Sequence, residues 1–289
     1  MRKIWLVTTD HLEEELWFRD EEDFMVAMNF IAIQAACSPE VIVLAFILMS
    51  NHVHFVLKGT RGEVERFISQ FKKRYSMYYQ KKWGVKKFLR LNGVEIKEIP
   101  YDDEAAERAI AYVQMNCVAA NICSHPSQYS WGTGNSFFNQ TKPSGTQLKD
   151  MSARTRERTL HSNCDSIPCN WHISPEGYIP PQEYVDVKAV EDIYRNPKRM
   201  NYFLNTSSKA RKRLEAEKHL PAFRDQIILA ALPDLLRSLF GKETFQALSE
   251  DEQPEFMRQI RFRFSADIHQ IARVCGLSYA DAARIIDSI

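Results

Sequence analysis

A chain of 289 residues with 45% hydrophobic content, 11 Tyr and 17 Phe has enough apolar mass for one large or two ordinary domains with a sizeable core. Lys+Arg of 38 against Asp+Glu of 37 leaves a formal charge of +1, so bulk electrostatics announces no nucleic-acid partner and any such footprint has to be local. The longest apolar run, Val41 to Met49, is far short of the ~20 residues that span a bilayer, and Ile4 to Val7 is too short for a signal peptide, so neither is expected. Six cysteines without a close repeated spacing fit reduced thiols and a cytoplasmic protein better than a disulfide framework.

Along the chain, Ile4 to Thr9 reads as a strand, and Asp20 to Ala36 as a helix with Phe24, Met28 and Ile31 on one face and acidic residues in its first turn. Ser38-Pro39 stops that helix. Val41 to Met49 is a continuous β-branched and aromatic run, the pattern of a strand buried on both faces; Ser50-Asn51 marks a turn, and His52 to Leu57 resumes as its neighbour. Glu63 to Lys82 has helical spacing, with Val64, Phe67, Ile68, Phe71 and Tyr75 on one stripe and Gly84 closing it. Val94 to Ile99 reads as a further strand, and Asp102-Asp103-Glu104 opens a helix to about Ala120. The order β-α-β-β-α-β predicts an α+β fold of split ferredoxin-like type, an antiparallel sheet with helices on one face, over residues 1–140.

From 141 to 200 Gly, Pro, Ser and Thr accumulate and periodicity weakens, which predicts an ordered, irregular connector wrapping the first domain. In it, His161, Cys164, Cys169 and His172 carry the donors of a tetrahedral Zn²⁺ site, but Cys-x4-Cys is wider than most zinc knuckles and no second loop supports it. Residues 201–289 predict a small α-helical domain. Its end, "ADIHQIARVCGLSYADAARII", fits a helix-turn-helix with Gly276 in the turn and fits a plain helical hairpin equally.

The stretch "LMSNHVHFVL" places His52 and His54 two apart on a strand, hence on one face and able to converge on one ion; a hydrogen-bonded or surface pair has the same pattern. Tyr112 and Asn116, four apart on the third helix, share a face. An amide oxygen there can complete a ligand set, while each residue also fits a plainer role, Tyr112 as a core aromatic and Asn116 as a polar group bonded to backbone. Tyr75 is a rival nucleophile, but it falls on the apolar stripe with no amide four residues later.

"FILMSNHVHFVLKG" resembles the His-hydrophobic-His strand of the HUH single-tyrosine transposases, and "AYVQMNCVAANICSHPSQYSWGT" resembles the tyrosine helix and its exit in the branch of REP-associated tyrosine transposases. The resemblance spans about the first 135 residues. It departs at Cys117, where the family usually has Pro, and at Gln114, often His there. It implies that His52, His54 and Asn116 hold Mg²⁺ or Mn²⁺ and that Tyr112 is the nucleophile. The implied reaction is cleavage and strand transfer of single-stranded DNA through a covalent 5′-phosphotyrosine. A catalytically inactive nucleic-acid-binding regulator on the same fold is the alternative.

"QFKKRYSMYYQKKWGVKKFLR" interleaves cations with aromatic rings, an arrangement that tracks phosphates and stacks unpaired bases; a solvated helix face over core aromatics is the other reading of its tyrosines. Lys72, Lys73, Arg74, Tyr78, Tyr79, Lys81, Lys82 and Trp83 are therefore the expected DNA-binding set, with single-stranded or hairpin DNA as partner. The long tail, which takes up surface a partner would use, favours a monomer over a homodimer.

Overall fold

The computed structural model describes residues 2–12, 16–86, 89, 93–101, 104–141, 143–207, 223–264 and 266–286. Lys87 and Arg90 of the basic segment and the acidic pair Asp102-Asp103 lie outside the described residues. The protein is α+β, with a four-stranded antiparallel sheet and many helices. Its first elements are β1 (Lys3–Thr9), α1 (Glu21–Cys37), β2 (Ile42–Met49), β3 (His52–Gly59), α2 (Arg61–Trp83) and β4 (Val94–Ile99), and the sheet order is β2-β3-β1-β4. Local chemistry sets these bounds. Asp20 caps α1 by accepting from the Asp23 N–H at 2.9 Å, Glu63 accepts from the Thr60 N–H at 2.8 Å at the start of α2, and Gly84 ends α2 with φ of 76°.

Helices cover both faces of the sheet, not the one face expected from the element order. On β3, Phe55 meets Phe67 and Phe71 of α2 at ring separations of 6.1 and 5.7 Å. Its neighbour His54 meets Tyr112 of α3 (Ala105–Gln114) at 5.7 Å. Adjacent strand residues point to opposite faces, so α2 and α3 lie on opposite sides. The reason is that β2 is apolar throughout and β3 carries Val53, Phe55, Val56 and Leu57 on both of its faces, so that each strand is buried at every position but one and both faces need a cover.

The third helix also ends earlier than its sequence pattern. It stops at Gln114, turns through Met115, and resumes as the single turn α4 (Asn116–Ala119). Beyond it the segment 129–133 runs along the outer edge of β2: the Leu48 N–H donates to the Trp131 carbonyl at 2.9 Å, the Thr133 N–H to the Phe46 carbonyl at 3.1 Å, and Tyr129 Oη to the Leu48 carbonyl at 2.6 Å. A side chain at Gly132 would sit 2.9 Å from the Phe46 carbonyl oxygen, so only glycine lets the two backbones approach. This closes one edge of the sheet.

The connector has more helix than its composition predicts: α5 (Ala153–Leu160) lies between the short paired strands β5 (Thr146–Gln147) and β6 (His172–Ile173), α6 (Val187–Tyr194) follows, and α7 (Pro197–Thr206) crosses the expected boundary at 200. Leu148, Leu160, Ile179, Tyr194 and Phe203 are buried in the same core as the sheet, which therefore runs from Trp5 to Leu204. A second core, with Ile228, Leu236, Phe256, Ile260 and Ile271, is built by α8 (Asp225–Phe240), α9 (Glu252–Phe264), α10 (Ile268–Cys275) and α11 (Tyr279–Ile286). Gly276, at φ of 68°, makes the turn between α10 and α11. The tail's cations are largely engaged: Arg284 pairs with Asp281 at 2.8 Å and Arg273 with buried Asp225 at 3.0 Å. Among the described residues no helix is long and apolar enough to cross a membrane.

Candidate active site

Two imidazoles and a phenol from separate segments form one ring cluster. His52 and His54 lie with ring centroids 4.7 Å apart and planes at 89°, and His54 meets the Tyr112 ring at 5.7 Å and 83°. Both histidines are buried and Tyr112 is half-buried. Each imidazole is oriented through Nδ1: that of His52 is 2.9 Å from Asn51 Oδ1, and that of His54 is 2.9 Å from Thr8 Oγ1. Engaging Nδ1 in this way leaves Nε2 on the other side of each ring, that of His54 buried.

Tyr112 occupies the last turn of α3, whose Ala109, Ile110, Ala111 and Val113 are buried against the sheet. The outer flank of that helix is held by the connector. Tyr194 Oη of α6 donates to the Glu107 carbonyl at 2.7 Å, and Arg199 of α7 pairs with the Glu107 carboxylate at 3.0 Å. Asn116 is held differently from the histidines. Its Nδ2 donates to the carbonyls of Tyr112 at 2.9 Å and Val113 at 3.1 Å, across the break between α3 and α4.

Four neighbours of the cluster carry little or no sequence signal. Thr8 and Glu95 stand in one row with His54 across β3, β1 and β4, and so share its face. His11, past the end of β1, stacks on the His52 ring at 3.7 Å and 15° from the exposed side. It is positioned by the Leu12 and Asn51 backbones, which bond at 3.0 Å. Only Asn51, adjacent to His52, is visible as a neighbour in the sequence.

Burial, and secondarily the charge of Glu95, raise the Tyr112 phenol above the ordinary tyrosine range. Glu95→Gln removes one of these two causes, so the phenol then ionises at lower pH. The check is the phenolate absorbance of the Glu95→Gln chain minus that of a Glu95→Gln/Tyr112→Phe chain, against the same difference in the Glu95 background. An unmoved midpoint refutes the coupling.

Among the described residues no group of three or more His, Cys, Asp or Glu is arranged to hold a metal ion. The connector quartet is dispersed: Cys164 Sγ lies 3.3 Å from Cys37 Sγ, His172 bonds Glu183 at 2.6 Å, and His161 packs edge-on against Tyr78. The contacts of Asn116 are with the backbone of its own helix, the plainer of the two roles its position allows. Two imidazoles joined by an amide oxygen would be a neutral donor set, one that suits an exchangeable Mg²⁺ or Mn²⁺ better than a closed structural Zn²⁺ site.

The basic segment does not form one surface. Tyr75, Tyr78 and Tyr79 are buried, with hydroxyls donating to the Trp17 carbonyl, to Asp23 and to the Leu16 carbonyl. Their rings are core, which differs from the stacking faces expected for Tyr78 and Tyr79. Lys82 is tied to Asp20, Glu22 and Asp23 at 2.7, 2.8 and 3.0 Å, and Trp83 Nε1 donates to Asp23 at 3.1 Å. Lys72 and Lys73 line a groove between α2 and β4, whereas Arg74 and Lys81 face α5.

No family model matches the chain, and no curated protein matches it. It is similar to a solved structure of the REP-associated tyrosine transposase bound to a REP hairpin, at 12% identity and a TM-score of 0.33, covering 46% of this chain and 77% of that chain. A likeness of that size adds no weight to the geometry above.

Proposed function

We propose that the chain is a metal-dependent transesterase of single-stranded DNA, a transposase or a host-retained relative, acting next to a hairpin through a covalent 5′-phosphotyrosine. The observation that carries this reading is the ring cluster of His52, His54 and Tyr112, drawn from β3 and α3 onto one face of the sheet. The order β-α-β-β-α-β and the strand order β2-β3-β1-β4 support a ferredoxin-like, HUH-type domain around it.

In this reading Tyr112 Oη attacks phosphorus in line. The P–O3′ bond breaks as the P–Oη bond forms, the phenol loses its proton, and the departing 3′-oxygen gains one. One ester replaces another, so a 3′-hydroxyl can reverse the step and join strands. His52, His54 and Asn116 would hold Mg²⁺ or Mn²⁺, which when bound supplies charge neutralisation at the phosphate oxygens. Thr8 and Asn51 keep the imidazole nitrogens aimed, and Glu95 with burial keeps the phenol protonated at rest.

Incubating the full chain with Mn²⁺ and labelled oligonucleotides that carry a hairpin and a single-stranded flank yields a denaturation-resistant protein–DNA adduct. Chelation by EDTA removes it, and added Mn²⁺ restores it. Binding without any adduct across a broad set of hairpins and flanks refutes the transesterase reading and favours a DNA-binding regulator on the same fold.

A further inference from the structure

The cations of α2 leave it in three directions, and one of these meets a second basic wall. Arg74 and Lys81 face a cleft of about 740 Å³ whose far side is α5, with Arg154, Arg158 and His161. Glu157 is the one carboxylate in its lining. Among the described residues, Arg74, Lys81, Arg154 and Arg158 have no carboxylate partner, and Arg74 Nε is buried without a hydrogen bond. Lys82, one residue beyond Lys81, shows the contrast, since three carboxylates hold it. Four unneutralised charges around one cleft repel one another and attract a polyanion.

The rings of the cleft say which part of a nucleic acid it takes. Tyr78 is buried, its hydroxyl bound to Asp23 and its ring edge-on to His161, and Phe30 is buried as well. His161 is the one exposed ring of the lining and stands edge-on to Tyr78, so the cleft holds no row of open ring faces for successive unpaired bases and fits a sugar-phosphate backbone whose bases are already paired. Arg74 and Lys81 are separated by ~10 Å along their helix, and Arg154 and Arg158 by ~6 Å. These spans match about two and three nucleotide steps of one strand, at ~3.4 Å of axial rise per nucleotide. This half of α2 also lies at the end of the sheet where His52 begins β3: Tyr75 Oη bonds the Trp17 carbonyl, and the Trp17 N–H donates to the Ser50 carbonyl at 2.8 Å.

We propose that the cleft between α2 and α5 grips the backbone of duplex DNA, the stem whose single-stranded flank reaches Tyr112. The identity of the polyanion rests on the transesterase reading; the grip itself rests on the four charges. The full chain is titrated with NaCl against two fluorescent probes, a hairpin stem with a single-stranded flank and the flank alone, following anisotropy. In Arg154→Gln/Arg158→Gln, both exposed positions, the slope of log K against log[salt] for the stem probe becomes shallower by roughly 2, at ~0.9 per phosphate contact. Arg74→Gln/Lys81→Gln reproduces the change from the other wall, and the flank probe keeps its slope in both. An unchanged stem slope in the α5 variant overturns the proposal, as does a change of the same size on the flank alone. Adduct yield at saturating DNA is followed in parallel. If wild type gives no adduct but the stem slope responds as stated, the transesterase reading fails and the cleft stands; if the adduct forms and the slope does not respond, the reverse holds.

Discussion

Tyr112→Phe abolishes adduct formation, by at least on the order of 10³-fold, while hairpin binding stays at the wild-type level. The substitution is close to an isolated chemical edit. The phenylalanine ring keeps the edge-on contact with His54 and the half-buried packing at the end of α3, and only Oη is lost. The obvious substitutes are poorly placed. Tyr75 and Tyr79 are fully buried with hydroxyls committed to backbone carbonyls, and burial raises the Tyr75 phenol well above its ordinary range. The measurement is a labelled-DNA gel under denaturing conditions, beside anisotropy on the same samples. Equal adduct in the variant removes Tyr112 from the role of nucleophile.

Asp23→Ala destabilises the fold by about 3–5 kcal/mol, a large share of the margin of an ordinary domain. Asp23 is fully buried and is the common acceptor for four groups: the Arg19 N–H at 2.8 Å, Lys82 Nζ at 3.0 Å, Tyr78 Oη at 3.1 Å and Trp83 Nε1 at 3.1 Å. Burial pushes its carboxyl above the usual range, and the Arg19 N–H and Lys82 ammonium work against that. On the partner side, burial alone would lower the Lys82 ammonium, but the carboxylates of Asp20, Glu22 and Asp23 outweigh it and hold it above its ordinary value. Removing Asp23 leaves buried donors without an acceptor, each costing about 1–3 kcal/mol less whatever water can reach. The effect appears as a lower urea midpoint at unchanged slope. Asp23→Asn, which keeps an oxygen acceptor, falls between the two. A change below about 1 kcal/mol in the alanine variant contradicts this account.

Element order was largely legible because each element carried its own punctuation. Asp20 and Gly84 mark helix ends through their capping chemistry, and the unbroken apolar run of β2 declares a strand covered on both sides. That last signal points to covers on both faces, whereas the β-α-β-β-α-β order points to helices on one. The break at Met115 was not legible, since it depends on the Asn116 side chain reaching back to two carbonyls of the preceding turn. In the candidate site, His52 and His54 share a face by strand period alone, which any reader of the sequence can apply. Thr8 and Glu95 join them only through strand register, and His11 only through a loop tied to the 50–51 turn, and neither is written locally. Tyr78 and Tyr79 show the converse. Alternation of rings with cations fits a stacking surface and an amphipathic core helix equally, and only packing separates the two.

The helix that bears Tyr112 is braced from outside by Tyr194 and Arg199, which belong to a stretch of chain well beyond the segment carrying the candidate chemistry. A segment cut at residue 140 and grafted elsewhere would therefore strip the brace from the helix of its candidate nucleophile: Glu107 would lose its cation and its carbonyl would lose the phenol. In evolutionary terms the later chain is not freely exchangeable cargo, because whatever replaces it must rebuild that buttress to hold the Tyr112 helix in place.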